Sequence, residues 1–134
     1  MQIGSKIVGY KVLSEVPMMH EGLKRPEVLH GSTYKIKPPS GAALYITIND
    51  YDLEGKRVPY EMFINSKNME HYQWIIALTM VVSAVFRKGG EVAFLVEELK
   101  NVFDPKGGYF KKGEGFMPSL VADIGNALDK HLGQ

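Results

Sequence analysis

The sequence has no cysteine among its 134 residues. Disulfide bonds, thiolate metal sites, a thiol nucleophile and a radical held on cysteine are therefore excluded for these residues. An excess of charge of one sign is also absent. The formal net charge is +1, so no global attraction to nucleic acid or to an anionic membrane is expected.

Long hydrophobic runs are missing as well. The longest apolar stretch, residues 74–86, is interrupted by Thr79 and Ser83 and is too short to cross a bilayer. The N-terminal residues are broken by glycine and lysine and do not form a secretory signal. These features predict a cytoplasmic protein with no membrane partner.

The hydropathy pattern predicts a single α+β domain. Hydrophobic residues make up 45% of the chain and charged residues 23%, as in ordinary globular proteins. Strand-like segments precede helical ones, which predicts an antiparallel sheet of three to four strands in the N-terminal half, packed on three helices in the C-terminal half. The strands are predicted at residues 3–13, 33–37, 42–50 and 58–65, with a long hairpin loop at residues 51–57.

The first predicted helix, residues 69–88, is apolar around most of its circumference and ends at Gly89-Gly90. Such a helix needs cover on several sides. One small sheet and two further short helices, predicted at residues 91–103 and from Pro118 onward, do not supply that cover in a chain of this size. The pattern therefore predicts a two-fold homodimer.

The segment "FINSKNMEHYQW", residues 63–74, places a cluster of polar side chains between a predicted strand and the first helix. A helix N-terminus exposes free N–H groups and partial positive charge, so Lys67 beside it favours an anion site. Asn68 or Ser66 as a helix cap explains the same residues without a ligand. Both interpretations remain open. The residues proposed to bind a nucleotide or phosphate are Lys35, Asn65, Ser66, Lys67, Asn68, His71, Arg87 and Lys88.

No catalytic or metal-binding set is predicted. The four histidines show no zinc-ligand spacing, and Asp50 and Asp52 are interpreted as turn-forming residues. The glycine- and lysine-rich segment at residues 104–115 lacks the strand and helix that flank a phosphate-binding P-loop. It is predicted to be a flexible surface loop.

Four segments between residues 25 and 131 carry a family pattern. They are, in order, "RPEVLHGSTYKIK", "LYITINDYDLEGKRVPYEMFINSKNMEHYQWIIALT", "SAVFRKGGEVAFLVEELKNVFDPKGGYF" and "PSLVADIGNALDKHL". Together they resemble the C-terminal accessory (TSCPD-type) domain of adenosylcobalamin-dependent, class II ribonucleotide reductases, in which the same segments occur in the same order. Some pseudomonads place this domain on a separate small chain, and related phages encode stand-alone copies. Residues 1–24 fall outside the resemblance and are predicted to form an N-terminal strand and arm, while residues 25–134 form the accessory-like domain of one compact unit.

The resemblance implies a part in deoxyribonucleotide synthesis without the catalytic machinery. The family's activity is ribonucleoside-diphosphate reduction, but the catalytic barrel, with its radical and redox cysteines and its cobalamin site, has no counterpart here. The resemblance therefore implies a non-catalytic accessory or regulatory subunit, with adenosylcobalamin bound only by a partner large chain. Met80 stands where the family usually has arginine, which adds to the apolar surface of the first helix.

Two other functions remain open. The chain could be a stand-alone nucleotide-binding module, phage-encoded, that senses or sequesters a nucleotide without the reductase. It could also be an interaction protein that inhibits a host factor through an apolar surface.

Overall fold

A computed structural model describes residues 24–39, 41–67 and 71–133. It confirms the predicted α+β class, with an antiparallel sheet in the N-terminal half and three helices in the C-terminal half. The strand predicted within residues 3–13 and the proposed cap Asn68 lie outside the described residues. In chain order the elements are β1 (His30–Ile36), β2 (Leu44–Leu53), β3 (Lys56–Ser66), α1 (Tyr72–Lys88), α2 (Phe94–Lys100), β4 (Tyr109–Lys111), β5 (Gly115–Met117) and α3 (Leu120–Leu132).

The main sheet has the strand order β1-β2-β3, and both neighbouring pairs are antiparallel. Its strands alternate between buried apolar residues and outward-facing polar ones, which is the pattern of a sheet with one covered face. The covered face packs against the helices to form the main core. Its buried residues are Ile36, Leu44, Ile46, Ile48, Met62 and Ile64.

The hairpin between β2 and β3 is tighter than the sequence predicts. In place of a long loop, a turn of Glu54 and Gly55 joins the two strands. Both turn residues have positive φ angles, 52° and 84°, as in the two-residue type I′ turn whose twist suits a hairpin. Asp52 Oδ1 accepts a hydrogen bond from the Gly55 N–H at 3.0 Å, so this acidic residue forms part of the turn from within β2.

Helix α1 packs along β3 and covers part of its outer edge. Ser83 Oγ accepts a hydrogen bond from the Met62 N–H at 2.9 Å and donates one to the Met62 carbonyl at 3.2 Å. The serine thereby satisfies backbone groups that an edge strand would otherwise leave unpaired. None of the helices in the described ranges is long and apolar enough to cross a membrane.

The segment predicted as a flexible loop at residues 104–115 contains most of a second, two-stranded sheet formed by β4 and β5. This small hairpin is tied to the first turn of α3. The buried Asp123 carboxylate accepts a hydrogen bond from the Tyr109 hydroxyl at 2.7 Å and one from Lys111 Nζ at 2.9 Å. The loop prediction was wrong because these partners are 14 and 12 residues from Asp123 and leave no local pattern.

Helix α3 begins two residues later than predicted. Pro118 is not its first residue. Instead, Ser119 is the N-cap, and its Oγ accepts a hydrogen bond from the Ala122 N–H at 2.9 Å. The same hydroxyl donates to the Val102 carbonyl at 2.6 Å, so the cap also fixes the end of the α2 segment against α3.

Candidate functional site

The open face of the sheet, opposite the helices, gathers several of the predicted ligand-binding residues. Lys35 of β1 lies opposite Tyr45 of β2, and Tyr45 lies opposite Asn65 of β3. All three side chains are exposed. They form one cross-strand row, defined here as the Lys35–Tyr45–Asn65 row, in which neighbouring Cβ atoms are about 5 Å apart.

A second aromatic side chain lies one row along the same face. Thr47 of β2 faces Phe63 of β3, and on its other side Thr33 of β1 shares a hydrogen bond with Thr47 at 2.8 Å between the two hydroxyls. Phe63 is exposed and diagonal to Tyr45. The two rings are therefore close enough for one flat ligand to contact both.

A shallow pocket of about 270 Å³ adjoins the Lys35–Tyr45–Asn65 row. The polar residues at the end of β3 form one wall, and the loop that precedes β2 forms the other. The pocket thus combines an aromatic ring, an amide and a cation at one place. Its lining residues are Ala42, Ala43, Tyr45, Asn65, Ser66 and Lys67.

Next to these rows, a charged cluster is built on Glu61. Although it lies on the open face, its carboxylate is nearly inaccessible and accepts two hydrogen bonds from Arg25, both at 2.9 Å, and one from Asn49 at 2.7 Å. The Arg25 hydrogen bond is the main reason that the pKa of Glu61 is lowered, against the opposing effect of burial. Charge on Arg87 contributes in the same direction. Glu61 is thus an ionised anchor for the segment before β1.

Three other residues predicted to bind a ligand lie away from the shallow pocket. His71 precedes α1 and lines a different cavity of about 440 Å³, together with Pro38 and Gly107. Arg87 and Lys88 are at the opposite end of α1, about 25 Å away for a helix of 17 residues. The structure therefore brings Lys35, Asn65, Ser66 and Lys67 to one region and places His71, Arg87 and Lys88 outside it.

A polar network between the sheet and α3 was not predicted from the sequence. His131 is buried, with Nδ1 2.8 Å from the Tyr34 hydroxyl and Nε2 2.7 Å from Asp50 Oδ1. Arg57 pairs with the other oxygen of Asp50 at 3.1 Å. Asp50 is therefore a strand residue that orients a histidine, and not a turn residue. Because Asp50 and His131 are 81 positions apart, no local signal predicts their contact.

The β4–β5 hairpin presents an aromatic pair to solvent. Phe110 and Phe116 face each other across its two strands and are 72% and 64% exposed. The exposed Lys112 lies in the turn between them. Because Asp123 anchors the base of this hairpin, the two rings are held on a fixed support.

The open sheet face presents side chains of three kinds that can contact a nucleotide. Aromatic rings stack on bases, lysines neutralise phosphates, and an amide can donate to and accept from a base edge. Tyr45, Lys35, Lys67 and Asn65 supply these groups. Among the described residues, no group of three or more acidic or histidine side chains is arranged to hold a metal ion.

Comparison with known proteins gives one finding. The model of the TSCPD domain family matches residues 10–132, a range that includes every described strand and helix. No curated protein and no solved structure gives a significant match. The residues of the open sheet face and of the β4–β5 hairpin all lie within the matched range.

Proposed function

Because the chain belongs to the TSCPD domain family, typical of class II ribonucleotide reductases, we propose that it is a non-catalytic accessory or regulatory subunit related to those enzymes. The match over residues 10–132 is the observation that supports this proposal. These 134 residues contain no cysteine, and in this proposal the radical and redox thiols for reduction belong to a large chain. In this proposal that large chain also binds adenosylcobalamin.

The β4–β5 hairpin is the surface proposed to dock on the large chain. Exposed aromatic residues on a rigid support are typical of the few side chains that dominate binding energy at interfaces. Phe110 and Phe116 fit this description, and the Asp123 contacts reduce the ordering cost on binding. The nearby Lys106 and Lys112 are exposed, so the matching surface would be an apolar pocket with acidic residues at its rim.

A binding titration with a purified class II large chain from the same genome tests the proposal. We expect a dissociation constant in the micromolar range or tighter. Replacing both aromatic residues (Phe110→Ser with Phe116→Ser) should weaken binding at least about tenfold, equivalent to about 1.4 kcal/mol. The matched control Phe63→Ser removes an exposed phenylalanine from the sheet face and should bind like wild type.

Thermal melting of each variant separates lost binding from lost folding. If wild type shows no binding at about 100 µM, the dissociation constant lies well above the range typical of specific complexes. The accessory proposal is then wrong. Equal weakening by the double variant and by Phe63→Ser would instead leave the accessory role standing and contradict docking through the hairpin.

A second function, a stand-alone nucleotide-binding module, is favoured by the Lys35–Tyr45–Asn65 row. In this proposal the base stacks on Tyr45, Asn65 contacts its polar edge, and Lys35 or Lys67 contacts the phosphate. Stacking of a base on an aromatic side chain contributes about 1–3 kcal/mol, which suits a site with few other apolar contacts.

A thermal-shift screen with nucleoside mono-, di- and triphosphates and cyclic nucleotides tests this second function. A ligand at 100 times its dissociation constant should stabilise the fold by about 2.7 kcal/mol. Tyr45→Ala and Lys35→Gln should each reduce the shift, whereas Lys112→Gln, on the distant hairpin, should not. No shift with any member of the panel at millimolar concentration would contradict nucleotide binding.

A further inference from the structure

Helix α1 and the start of α2 share an apolar surface that stays exposed among the described residues. We define the α1 strip as Tyr72, Ile76, Met80 and Val81 of α1 with Phe94 of α2. Met80, Val81 and Phe94 are 67%, 60% and 55% exposed, and Tyr72 and Ile76 are each more than one-third exposed. Residues 72, 76, 80 and 84 follow one line along the helix because positions four apart share a face.

The strip is large enough to need an explanation. Its five side chains expose on the order of 500 Å² in total, within the range where the largest apolar patch of a protein is often functional. Buried from two copies at once, the strip would contribute about the 1,000 Å² that a biological interface requires. Its size therefore suits a symmetric contact between two chains.

The two halves of the strip have complementary shapes. The C-terminal half borders a groove of about 450 Å³, whose walls are Val81, Ala84, Val85 and Phe94. In the N-terminal half, Ile76 exposes a larger branched side chain. One face thus contains both an exposed apolar side chain and an apolar groove lined in part by small residues.

We propose that a second copy of this chain covers the α1 strip through a two-fold contact centred on Met80. A two-fold axis requires that when residue i contacts residue j of the partner, residue j also contacts residue i. An axis at position 80 makes the two α1 helices antiparallel. It then pairs residue 76 with residue 84, and residue 72 with residue 88, in both directions.

These pairings are chemically matched. The larger Ile76 faces the small Ala84, which opens the groove at that point. Tyr72 faces Lys88, whose ammonium group can lie over the aromatic ring. Met80 faces Met80, an adaptable residue that tolerates a contact with itself on the axis. A partner of unrelated sequence would not require residues 72 and 76 to match residues 88 and 84 of the same helix. A second copy therefore accounts better for the residues found along the strip. The proposal does not depend on the function proposed above.

Light scattering with size-exclusion chromatography tests the dimer. The chain has a mass of 15.0 kDa, and wild type should elute with twice that mass. Met80→Glu places two carboxylates on the axis and should give the single-chain mass with an unchanged circular-dichroism spectrum. The matched control Phe110→Glu, at an equally exposed aromatic residue of the β4–β5 hairpin, should remain dimeric. Wild type at the single-chain mass at about 100 µM would overturn the proposal.

The absence of cysteine allows a direct test of the pairing. Met80→Cys should oxidise to a disulfide-linked dimer. A mixture of Ile76→Cys and Ala84→Cys chains should form the mixed disulfide faster than either variant forms a disulfide with itself. A dimer that survives Met80→Glu and forms no such disulfide would assign dimerisation to another surface. A monomeric wild type whose large-chain binding is lost in Met80→Glu would assign the strip to that partner instead.

Discussion

At the scale of single residues, three buried polar side chains are held by partners distant in sequence. Glu61 contacts Arg25, Asp123 contacts Lys111, and His131 contacts Asp50. Burying a charge is costly unless it is paired and hydrogen-bonded, so each contact offsets the cost of burying that polar group. Of these residues, only Asp50 was singled out in the sequence, and it was interpreted as a turn residue because its partner His131 is 81 positions away.

Glu114 allows a prediction at this scale. Its carboxylate lies within hydrogen-bond distance of Lys130, Asn126 and Lys111, and the contact with Lys130 is the main reason that its pKa is lowered to about 2. A lowered pKa means that the ionised form stabilises the fold above the ordinary glutamate pKa. This stabilisation is lost as the pH falls toward 2.

We expect Glu114→Gln to lower the free energy of unfolding at pH 7 by about 1 kcal/mol, a value reduced because solvent screens this partly exposed group. Urea denaturation at pH 7, 5 and 3 gives the free energy of unfolding of both proteins. The difference between the variant and wild type should become smaller below about pH 4.5. Glu98→Gln, on the exposed side of α2, is the control and should differ little from wild type at any pH. If Glu114→Gln is as much less stable than wild type at pH 3 as at pH 7, the stabilisation does not come from the ionised Glu114 carboxylate.

At the scale of elements, long periodic segments were predictable and short ones were not. The alternation in β2 and β3 and the apolar periodicity of α1 identified each element, although the structure moves their ends by a few residues. β4 and β5 have three residues each, too few for an alternation to be distinguished from a loop. These strands form because contacts with α3 hold them.

The register of the main sheet explains why only part of the candidate site was predicted. Tyr45 and Asn65 lie within the strands predicted at residues 42–50 and 58–65. Their direct pairing depends on the two-residue turn at Glu54-Gly55, because turn length sets the register of a hairpin. A long loop, as predicted, leaves that register undefined.

Gly125 provides a prediction at the element scale. It lies where α3 packs on α2, and a Cβ atom added there would be 2.8 Å from Leu99 Cβ and 3.2 Å from the Lys100 backbone nitrogen. Alanine is the better helix former by about 1 kcal/mol, but overpacking a helix contact costs about 1–3 kcal/mol. Since the nearest atoms are at or beside the α2 backbone, we expect overpacking to dominate.

Chemical denaturation should therefore show Gly125→Ala to be less stable than wild type by about 1 kcal/mol. Gly133→Ala is the matched control, because a Cβ atom there meets its nearest neighbour, the Asp129 carbonyl oxygen, at 3.4 Å, and φ is −80°. That variant should be neutral. A Gly125→Ala protein at least as stable as wild type would show that α2 moves freely relative to α3.

At the scale of the whole molecule, three exposed surfaces differ in chemistry and suggest different functions. The open sheet face presents aromatic, amide and lysine side chains, the α1 strip is apolar, and the β4–β5 hairpin presents an aromatic pair. The sequence predicted the fold class and an apolar excess on α1. It did not predict which apolar residues of α1 stay exposed, because the side of α1 that the sheet covers is determined by packing. A dimer through the strip would leave the hairpin free for a different protein.

The accessory role is tested most directly by the equilibrium dissociation constant between this chain and a purified class II ribonucleotide reductase large chain from the same genome. We expect saturable binding with a dissociation constant in the micromolar range or tighter, that is, a binding free energy of about −8 kcal/mol or stronger. No saturable binding up to about 100 µM, with both proteins shown to be folded, would contradict it.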